Sequence, residues 1–250
     1  MRRADREIQR LRDTWDGYAR SDPLWTVVAA PGMRGRRWRE PDFYETGRRE
    51  IAEVMGRMEE VAHLGQRKRA LDFGCGVGRL TEALGEHFER VDGVDISEAM
   101  IQQARAASTH SGPCAYHVNV GADLSLFQDA TFDLVYSNIV LQHLGRALAT
   151  RYLREFVRVL RPGGVLNFQL PTSRRWNLRG LVVRLAPARL QEHIRGMRME
   201  GMPDKQVRRW LEGMDLVIVE VAVDGSAGDQ WHSRRYIGAK PRPAPVEDHS

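Results

Sequence analysis

Three glycines at alternate positions, Gly74, Gly76 and Gly78, stand between an apolar segment and an amphipathic one. Glycine adopts positive φ angles without strain and lets the backbone approach a ligand, while a helix that follows presents free amide groups. Asp95 ends the next apolar segment, 19 residues after Gly76, where a carboxylate can accept hydrogen bonds from both hydroxyls of a ribose. The combination predicts a nucleotide-type site, and a tight turn that binds nothing is the alternative.

Asp72 bears on which ligand this would be. A nicotinamide dinucleotide needs its pyrophosphate at the helix N-terminus, usually with a GxGxxG spacing, whereas the spacing in this chain is GxGxG. A carboxylate two residues before the first glycine would repel a pyrophosphate, but it suits the ammonium and sulfonium groups of S-adenosylmethionine. The residues leave both ligands open and favour S-adenosylmethionine.

Short apolar runs alternate with helical stretches from Arg69 onward, which is typical of an α/β fold with a doubly wound, mostly parallel sheet. The predicted strands are 69–73, 90–95, 114–119, 132–137, 165–170, 216–223 and 230–239. The predicted helices are 3–19, 42–64, one from the glycine turn to about residue 88, 97–107, 146–160 and 203–213. Six residues join the last two strands, too few for a crossover helix, so these strands should pair antiparallel. We therefore predict a seven-stranded sheet with an antiparallel last strand, plus helical N-terminal and inserted cap elements.

The segment Asp72-Phe-Gly-Cys-Gly-Val-Gly-Arg79 resembles the first motif of class I S-adenosylmethionine-dependent methyltransferases. Later motifs of this family resemble Val94-Asp-Ile-Ser97, Phe132-Asp-Leu-Val-Tyr-Ser-Asn138 with Leu141-Gln-His143, and Leu160-Arg-Pro-Gly-Gly164. The resemblance covers about residues 45–170 and is nearest to the small-molecule type 11 group, which includes ubiquinone and menaquinone C-methyltransferases. It implies a Rossmann-like methyltransferase fold and S-adenosylmethionine as the cofactor, and it says little about the substrate. Because aromatic residues of the N-terminal segment could cover an apolar molecule, we expect methyl transfer to a small aromatic or lipophilic metabolite.

The resemblance also implies contacts with the methionine end of the cofactor. The backbone of Gly74, Cys75 and Gly76 would pass the methionine moiety, with Asp72 near its amino group. The pair Ser137-Asn138 would border the transferred methyl group.

Contacts with the adenosine end follow from the same resemblance. Asp95 would hold the ribose hydroxyls, and Ile96 and Met100 would sandwich the adenine. Many members of the family have an acid after the third strand that binds the adenine amino group. In this chain that contact falls either to Asn119 or to the stretch Ala122-Asp123, and the sequence leaves the two open.

Methyl transfer is an in-line displacement at a carbon that the sulfonium already activates, so the protein must mainly align the acceptor and exclude water. A general base is needed only when the acceptor must lose a proton. The family often places a histidine just after the fourth strand, which makes His143 the candidate catalytic base; a histidine bonded to backbone at a helix start is the alternative. We expect Gln142 to orient the acceptor, and Trp38, Tyr44 and His232 to contact it.

The chain divides into three predicted parts. Residues 1–45 should form a helical lid whose aromatic side chains either cover a substrate or pack their helix on the sheet. The methyltransferase domain should span 46–240 with an inserted cap at 172–202, followed by a disordered tail at 241–250. The arginines and apolar residues of 174–187 fit three interpretations, namely attraction of an anionic substrate, contact with a membrane surface, or an ordinary cap helix.

The net charge of +5 is unevenly distributed. Residues 1–69 carry +4, residues 70–170 carry −3, and residues 171–250 carry +4. An acidic centre between basic flanks differs from a nucleic-acid-binding stripe, and no RNA-binding motif is present, so nucleic acid is not an expected partner. RNA or protein methylation, a non-catalytic S-adenosylmethionine-binding protein and a nicotinamide dehydrogenase remain the alternative functions.

Cysteine spacing and hydropathy indicate the expected cellular location of the protein. Cys75 and Cys114 show no spacing suited to a zinc site or a disulfide framework, so we expect no metal and a cytoplasmic location. No apolar run of about 18 residues could span a membrane. We expect a monomer or a homodimer that acts on a small-molecule acceptor, with at most weak contact with a membrane surface.

Overall fold

The computed structural model describes residues 3–62, 64–108, 112–175 and 199–242. Its strands are β1 Arg69–Phe73, β2 Arg90–Asp95, β3 Cys114–Val118, β4 Phe132–Ser137, β5 Leu160–Arg174, β6 Val217–Asp224 and β7 Trp231–Ala239. They form one sheet in the order β3-β2-β1-β4-β5-β7-β6. Strand β7 runs antiparallel to β5 and β6, and the other pairs are parallel. The prediction of a doubly wound, mostly parallel seven-stranded sheet is confirmed.

Helices cover both faces of the sheet. They are α1 Arg3–Ser21, α2 Pro23–Val27, α3 Glu40–Ala62, α4 Arg79–Leu84, α5 Glu98–Ala107, α6 Arg146–Val159 and α7 Asp204–Glu212, with a 3-10 turn at Leu141–His143. Alternate residues of β1 point to opposite faces, as the period of a strand requires. Leu71 and Phe73 belong to the core that contains α6, whereas Ala70 belongs to the core that contains α3 and α4.

Strand β5 is longer than the predicted 165–170, and the predicted turn at Arg161-Pro-Gly-Gly164 lies within it. Phe132 of β4 pairs with Leu160, but Leu134 pairs with Val165, so the proline and glycines form a bulge on β5. Gly163 takes a φ of 80° in this bulge. The predicted turn therefore does not mark the beginning of β5, because β5 pairs with β4 both before and after it.

Two predicted boundaries do not coincide with element boundaries. Helix α3 begins at Glu40 and continues past residue 45, so the lid and the domain share this helix. Strand β5 runs to Arg174, so the predicted cap at 172–202 begins within a strand. Most of that cap and most of the predicted tail, residues 176–198 and 243–250, lie outside the described residues.

Helix α1 docks on the start of α5, beside the end of β2. The Asp16 carboxylate accepts hydrogen bonds from the Ser97 hydroxyl at 2.6 Å and from the Ala99 amide at 3.2 Å. Arg12 forms an ion pair with Glu98 at 3.0 Å. Because an acidic side chain at a helix N-terminus satisfies free amides, these contacts fix α1 over the carboxyl ends of the strands.

Candidate active site

The turn after β1 is shaped by its glycines. Gly74, Gly76 and Gly78 all have positive φ angles, of 78°, 54° and 87°. The amides of Gly74 and Cys75 donate hydrogen bonds to the Val94 carbonyl, at 2.7 and 3.1 Å, and so hold the turn against the end of β2. A Cβ on Gly74 would clash with the side chain of Val140, so the turn also packs closely on the loop after β4.

Asp95 faces this turn from the end of β2. Its carboxylate accepts hydrogen bonds from the Gly76 amide at 2.9 Å and from the Ser97 amide at 2.8 Å. Burial raises the pKa of Asp95 above its ordinary value. The carboxylate therefore has a fixed orientation at the edge of a cavity, where a ligand with hydroxyl groups can donate to it.

A cavity of about 870 Å³, including space open to solvent, lies at the carboxyl ends of β1, β2 and β4. The predicted site residues in its lining are Gly74, Gly76, Asp95, Ile96, Met100, Asn119, Asn138 and His143. The lining also contains Trp15, one of the lid aromatics that the sequence offered as a possible cover, and five residues that sequence reasoning did not assign, namely Ile8, Leu11, Thr26, Val27 and Tyr152. The backbone cradle, the acid and the apolar walls fit an adenosine-containing ligand.

Asp72, Cys75 and Ser137 lie behind the cavity wall and do not line it. The Asp72 carboxylate accepts a hydrogen bond from the Thr81 hydroxyl at 2.7 Å, and burial raises its pKa to about 7. The Ser137 hydroxyl donates to the Phe73 carbonyl at 3.1 Å and joins β4 to β1. Burial raises the pKa of the Cys75 thiol well above its ordinary value, which disfavours the thiolate.

The raised pKa of Asp72 predicts pH-dependent cofactor binding. A cationic ligand at the turn favours the ionised carboxylate, so affinity for S-adenosylmethionine should rise as pH increases through about 7. The same shift means that the ligand-free protein loses stability as pH rises from the ordinary value of 3.8 to about 7. In calorimetric titrations from pH 6 to pH 8, Asp72→Asn should show a flatter affinity profile. The matched Asp229→Asn variant, at an exposed position between β6 and β7, should keep the original profile. Parallel profiles for all three proteins would contradict the prediction.

At the end of β3 the structure distinguishes the two candidates for the adenine contact by position. Asn119 is buried and lines the cavity, and its amide donates to the Asp123 carbonyl at 2.8 Å. The Asp123 carboxylate forms an ion pair with Arg151 at 2.9 Å on the outer side. Ala122 packs against the core and lies outside the cavity lining. The wall of the cavity at this strand is therefore Asn119.

Asn138 is held from behind by two charged residues that the sequence did not single out. Its amide nitrogen donates to the Glu50 carboxylate at 2.6 Å, and its amide oxygen accepts from Arg235 at 3.1 Å. Glu50 also accepts from the Tyr136 hydroxyl at 2.9 Å and from Arg79 at 2.7 Å. Both ends of the Asn138 amide are thus occupied, which fixes its orientation at the cavity wall.

Replacing Glu50 by glutamine should slow methyl transfer while cofactor binding is kept. A glutamine amide would present a donor to Asn138 or Arg79, which are themselves donors, so Asn138 would rotate. We expect the turnover rate to fall about 10-fold, or about 1.4 kcal/mol, with the affinity for S-adenosylhomocysteine within about 3-fold. Glu53→Gln, at an exposed position on the same helix, is the control and should leave both values unchanged. Equal loss of affinity and rate in Glu50→Gln would indicate general disruption instead.

His143 ends the 3-10 turn that follows β4, and its ring meets Trp15 of α1 edge to face at 5.2 Å. The Ile139 amide donates to Gln169 Oε1 at 3.2 Å, which fixes the orientation of the Gln169 amide. The other end of that amide, Nε2, therefore donates to Gln142 Oε1 at 3.4 Å. Gln142 Nε2 therefore faces His143 Nε2, at 3.3 Å. With Gln142 as the donor, Nε2 of His143 is unprotonated.

Ile139 has a φ of 60°, in a region that β-branched residues rarely adopt. Its amide hydrogen bond to the buried Gln169 holds this conformation, between Asn138 and the turn that carries His143. Backbone strain of this kind is maintained only where surrounding contacts require it, and it clusters at functional sites.

Trp38, Tyr44 and His232 lie outside the cavity lining. The Trp38 indole donates to the Val28 carbonyl at 3.1 Å, and the Tyr44 hydroxyl donates to the Val77 carbonyl at 3.0 Å. These two residues therefore brace the N-terminal segment against the glycine turn. His232 is exposed on β7, opposite Ser173. The structure does not bring these three predicted acceptor contacts to the site.

Among the residues that the structure describes, no group of three or more histidine, cysteine, aspartate or glutamate side chains could hold a metal ion. No described helix has the length and apolar character needed to cross a bilayer.

The strand order, the glycine turn after β1 and the acid that ends β2 together define the fold of a class I methyltransferase. The solved structure of magnesium protoporphyrin IX methyltransferase from Synechocystis, with bound S-adenosylhomocysteine, superposes with a TM-score of 0.65. It covers 94% of this chain and 99% of that chain at 18% sequence identity, a likeness that concerns the fold. A family model described as a methyltransferase domain matches residues 71–168. Within the chain, this segment thus matches the methyltransferase domain of the type 11 group, a class whose cofactor is S-adenosylmethionine.

Curated relatives match part of the chain. A ubiquinone biosynthesis O-methyltransferase from Idiomarina loihiensis is 29% identical over 166 residues, which are 63% of this chain and 64% of that protein. A malonyl-[acyl-carrier protein] O-methyltransferase from Salmonella typhimurium is 37% identical over 99 residues, which are 39% of this chain and 37% of that protein. The chain thus spans less than two thirds of the length of either relative.

Proposed function

We propose that this protein transfers the methyl group of S-adenosylmethionine to a small aromatic or lipophilic metabolite by in-line displacement. The observation that carries the proposal is the cavity at the strand ends, with the glycine turn and Asp95 on one side and His143 on the other. Both relatives described above are named as O-methyltransferases, which favours an oxygen atom as the acceptor.

The cofactor contacts that we propose use the backbone of Gly74 and Gly76, the carboxylate of Asp95, and the side chains of Ile96 and Met100. S-adenosylmethionine supplies, when bound, a methyl carbon that is activated by a sulfonium. The positive φ angles of the two glycines support this assignment, because this conformation disfavours residues with a side chain and lets the backbone approach a ligand. Asp95 holds hydroxyl groups, and Asp72 contributes negative charge from behind the turn.

The acceptor side of the proposed reaction lies at the loop after β4. Leu11 and Trp15 of α1 cover the cavity and exclude water, while Asn138 forms the wall that Glu50 and Arg235 fix. An acceptor hydroxyl would replace the long hydrogen bond from Gln142 and give its proton to His143 Nε2, while the methyl group that the cofactor supplies would pass from sulfur to the acceptor oxygen and leave the thioether. A carboxylate acceptor needs no base.

The test has two measurements on the full chain. Calorimetry should detect micromolar binding of S-adenosylhomocysteine and no comparable binding of NADH. Incubation with S-adenosylmethionine and a panel of phenols, catechols, aromatic acids and fatty acids should release S-adenosylhomocysteine at catalytic rates. Turnover with total RNA or a protein lysate, but with no member of the panel, would overturn the small-molecule proposal. Binding without turnover on any of these acceptors would instead indicate a non-catalytic S-adenosylmethionine-binding protein.

The proposal extends to the setting of the enzyme. Cys75 and Cys114 are both free, which supports a reducing compartment such as the cytoplasm. We propose a monomer or a homodimer, which sedimentation equilibrium would distinguish.

A further inference from the structure

A second cavity, of about 1420 Å³ including space open to solvent, is lined by α1 and by His143, Gly145 and Glu200. One of its walls is a face of α1 that carries Arg6, Glu7 and Arg10, and His143 and Glu200 belong to the opposite side. No step of the proposed cofactor binding uses this cavity. It is large enough for a small metabolite.

The two cavities share a wall. Leu11, Trp15 and His143 line both of them. A molecule in the second cavity therefore meets the cofactor cavity at the histidine that we propose as the base. The second cavity thus adjoins the cofactor cavity at the proposed base.

Two arginines in the second cavity have no acidic partner among the residues that the structure describes. Arg6 and Arg10 lie one helical turn apart on the same face, and neither forms an ion pair with any residue that the structure describes. In contrast, Arg12 of the same helix is paired with Glu98. The two guanidinium groups are therefore available to an anion.

The cavity also holds two acidic residues, Glu7 and Glu200. Glu7 points toward Gly145, where a side chain on the glycine would clash with its carboxylate. Neither Glu7 nor Glu200 comes within the 4.0 Å of Arg6 or Arg10 that defines an ion pair between described residues.

We propose that the methyl acceptor carries an acidic group, a carboxylate or a phosphate, that Arg6 and Arg10 bind in this second cavity. The inference rests on the proposed function, which supplies the methyl donor. Arg10 and Trp15 are five residues apart, or roughly 8 Å along the helix. Trp15 packs against His143, the proposed base, so this distance approximates the separation between the acidic group and the methylated atom. About one ring or a short chain fills that separation, and Trp15 and Tyr18 contact this apolar part. Guanidinium groups suit both anions because they donate paired hydrogen bonds.

The experiment compares acids with neutral molecules of similar shape on the protein loaded with S-adenosylhomocysteine. The probes are 2-naphthoate with 2-naphthamide, octanoate with octanol, and phenyl phosphate with phenol. In calorimetry, at least one acid should bind about 10-fold more tightly than its neutral counterpart. The carboxylates and the phosphate are separate arms, which distinguish the two kinds of anion. The double variant Arg6→Gln/Arg10→Gln should lose this preference, whereas Arg20→Gln, at an exposed position on the same helix, should retain it.

Two results would overturn the inference, and both are separate from the failure of the proposed function. Equal binding, or no binding, of acid and neutral probes in every pair would exclude an anion site. A preference for acids that survives in the double variant would place the anion elsewhere. S-adenosylhomocysteine affinity, measured first in each protein, reports on the proposed function itself. It should be the same in all three proteins, and its absence in the unaltered chain would contradict the proposed function.

Discussion

Replacing Gly74 by alanine should weaken the binding of S-adenosylhomocysteine by about 100-fold or more. Gly74 has a φ of 78°, a conformation that costs an L-residue with a side chain about 1 kcal/mol. The new methyl group would also lie within 3.0 Å of three side-chain atoms of Val140, so the turn or the loop after β4 must move. Together we expect a loss of about 3 kcal/mol in binding free energy, measured by calorimetry.

Two variants separate this effect from a general loss of stability. Gly56→Ala changes a glycine of α3 that has open space around its Cβ position, and alanine favours helices, so binding should be unchanged. Adding Val140→Ala to Gly74→Ala removes two of the three clashing atoms and should restore part of the affinity. An affinity of Gly74→Ala within about 3-fold of the original would show that the turn does not hold the cofactor.

The features that the sequence predicted well are those whose signals are local. The glycine turn is one contiguous segment, and β1, β2 and β4 are short apolar runs whose bounds agree with the prediction. Both halves of the cradle for an adenosine-containing ligand, the turn and Asp95, could therefore be located without a structure. The apolar stripe of α1 was also visible from its helical spacing. The sequence left open whether Trp15 covers a ligand or packs on the sheet, and the structure places it in the wall of both cavities.

The features that the sequence missed depend on long-range pairing. Glu50 and Arg235 meet Asn138 from 88 and 97 positions away, and no spacing rule connects residues at such separations. The proline and glycines at 161–164 predicted a turn because their local preference is clear, but the neighbouring strand converts them into a bulge. Trp38 and Tyr44 satisfy backbone carbonyls of the N-terminal half, a role that composition alone does not indicate.

Replacing His143 by alanine should have the largest effect on catalysis, and the effect should depend on the acceptor. For a hydroxyl acceptor the base must take a proton, so we expect turnover to fall about 1000-fold in single-turnover release of S-adenosylhomocysteine. For a carboxylic acid, which is ionised at neutral pH, turnover should change by about 3-fold or less, because no proton has to be removed. Cofactor affinity should be nearly unchanged for both.

This difference between acceptors separates a base from a residue that only supports the fold. A structural role would lower both rates together, since Trp15 packs on the His143 ring and both cavities share that wall. The remote histidine variant His87→Ala should leave both rates intact. Added imidazole should restore part of the hydroxyl rate in His143→Ala, because it can enter the space that the ring leaves. Equal losses for hydroxyl and carboxylate acceptors would mean that His143 positions the acceptor and that the proton leaves to solvent.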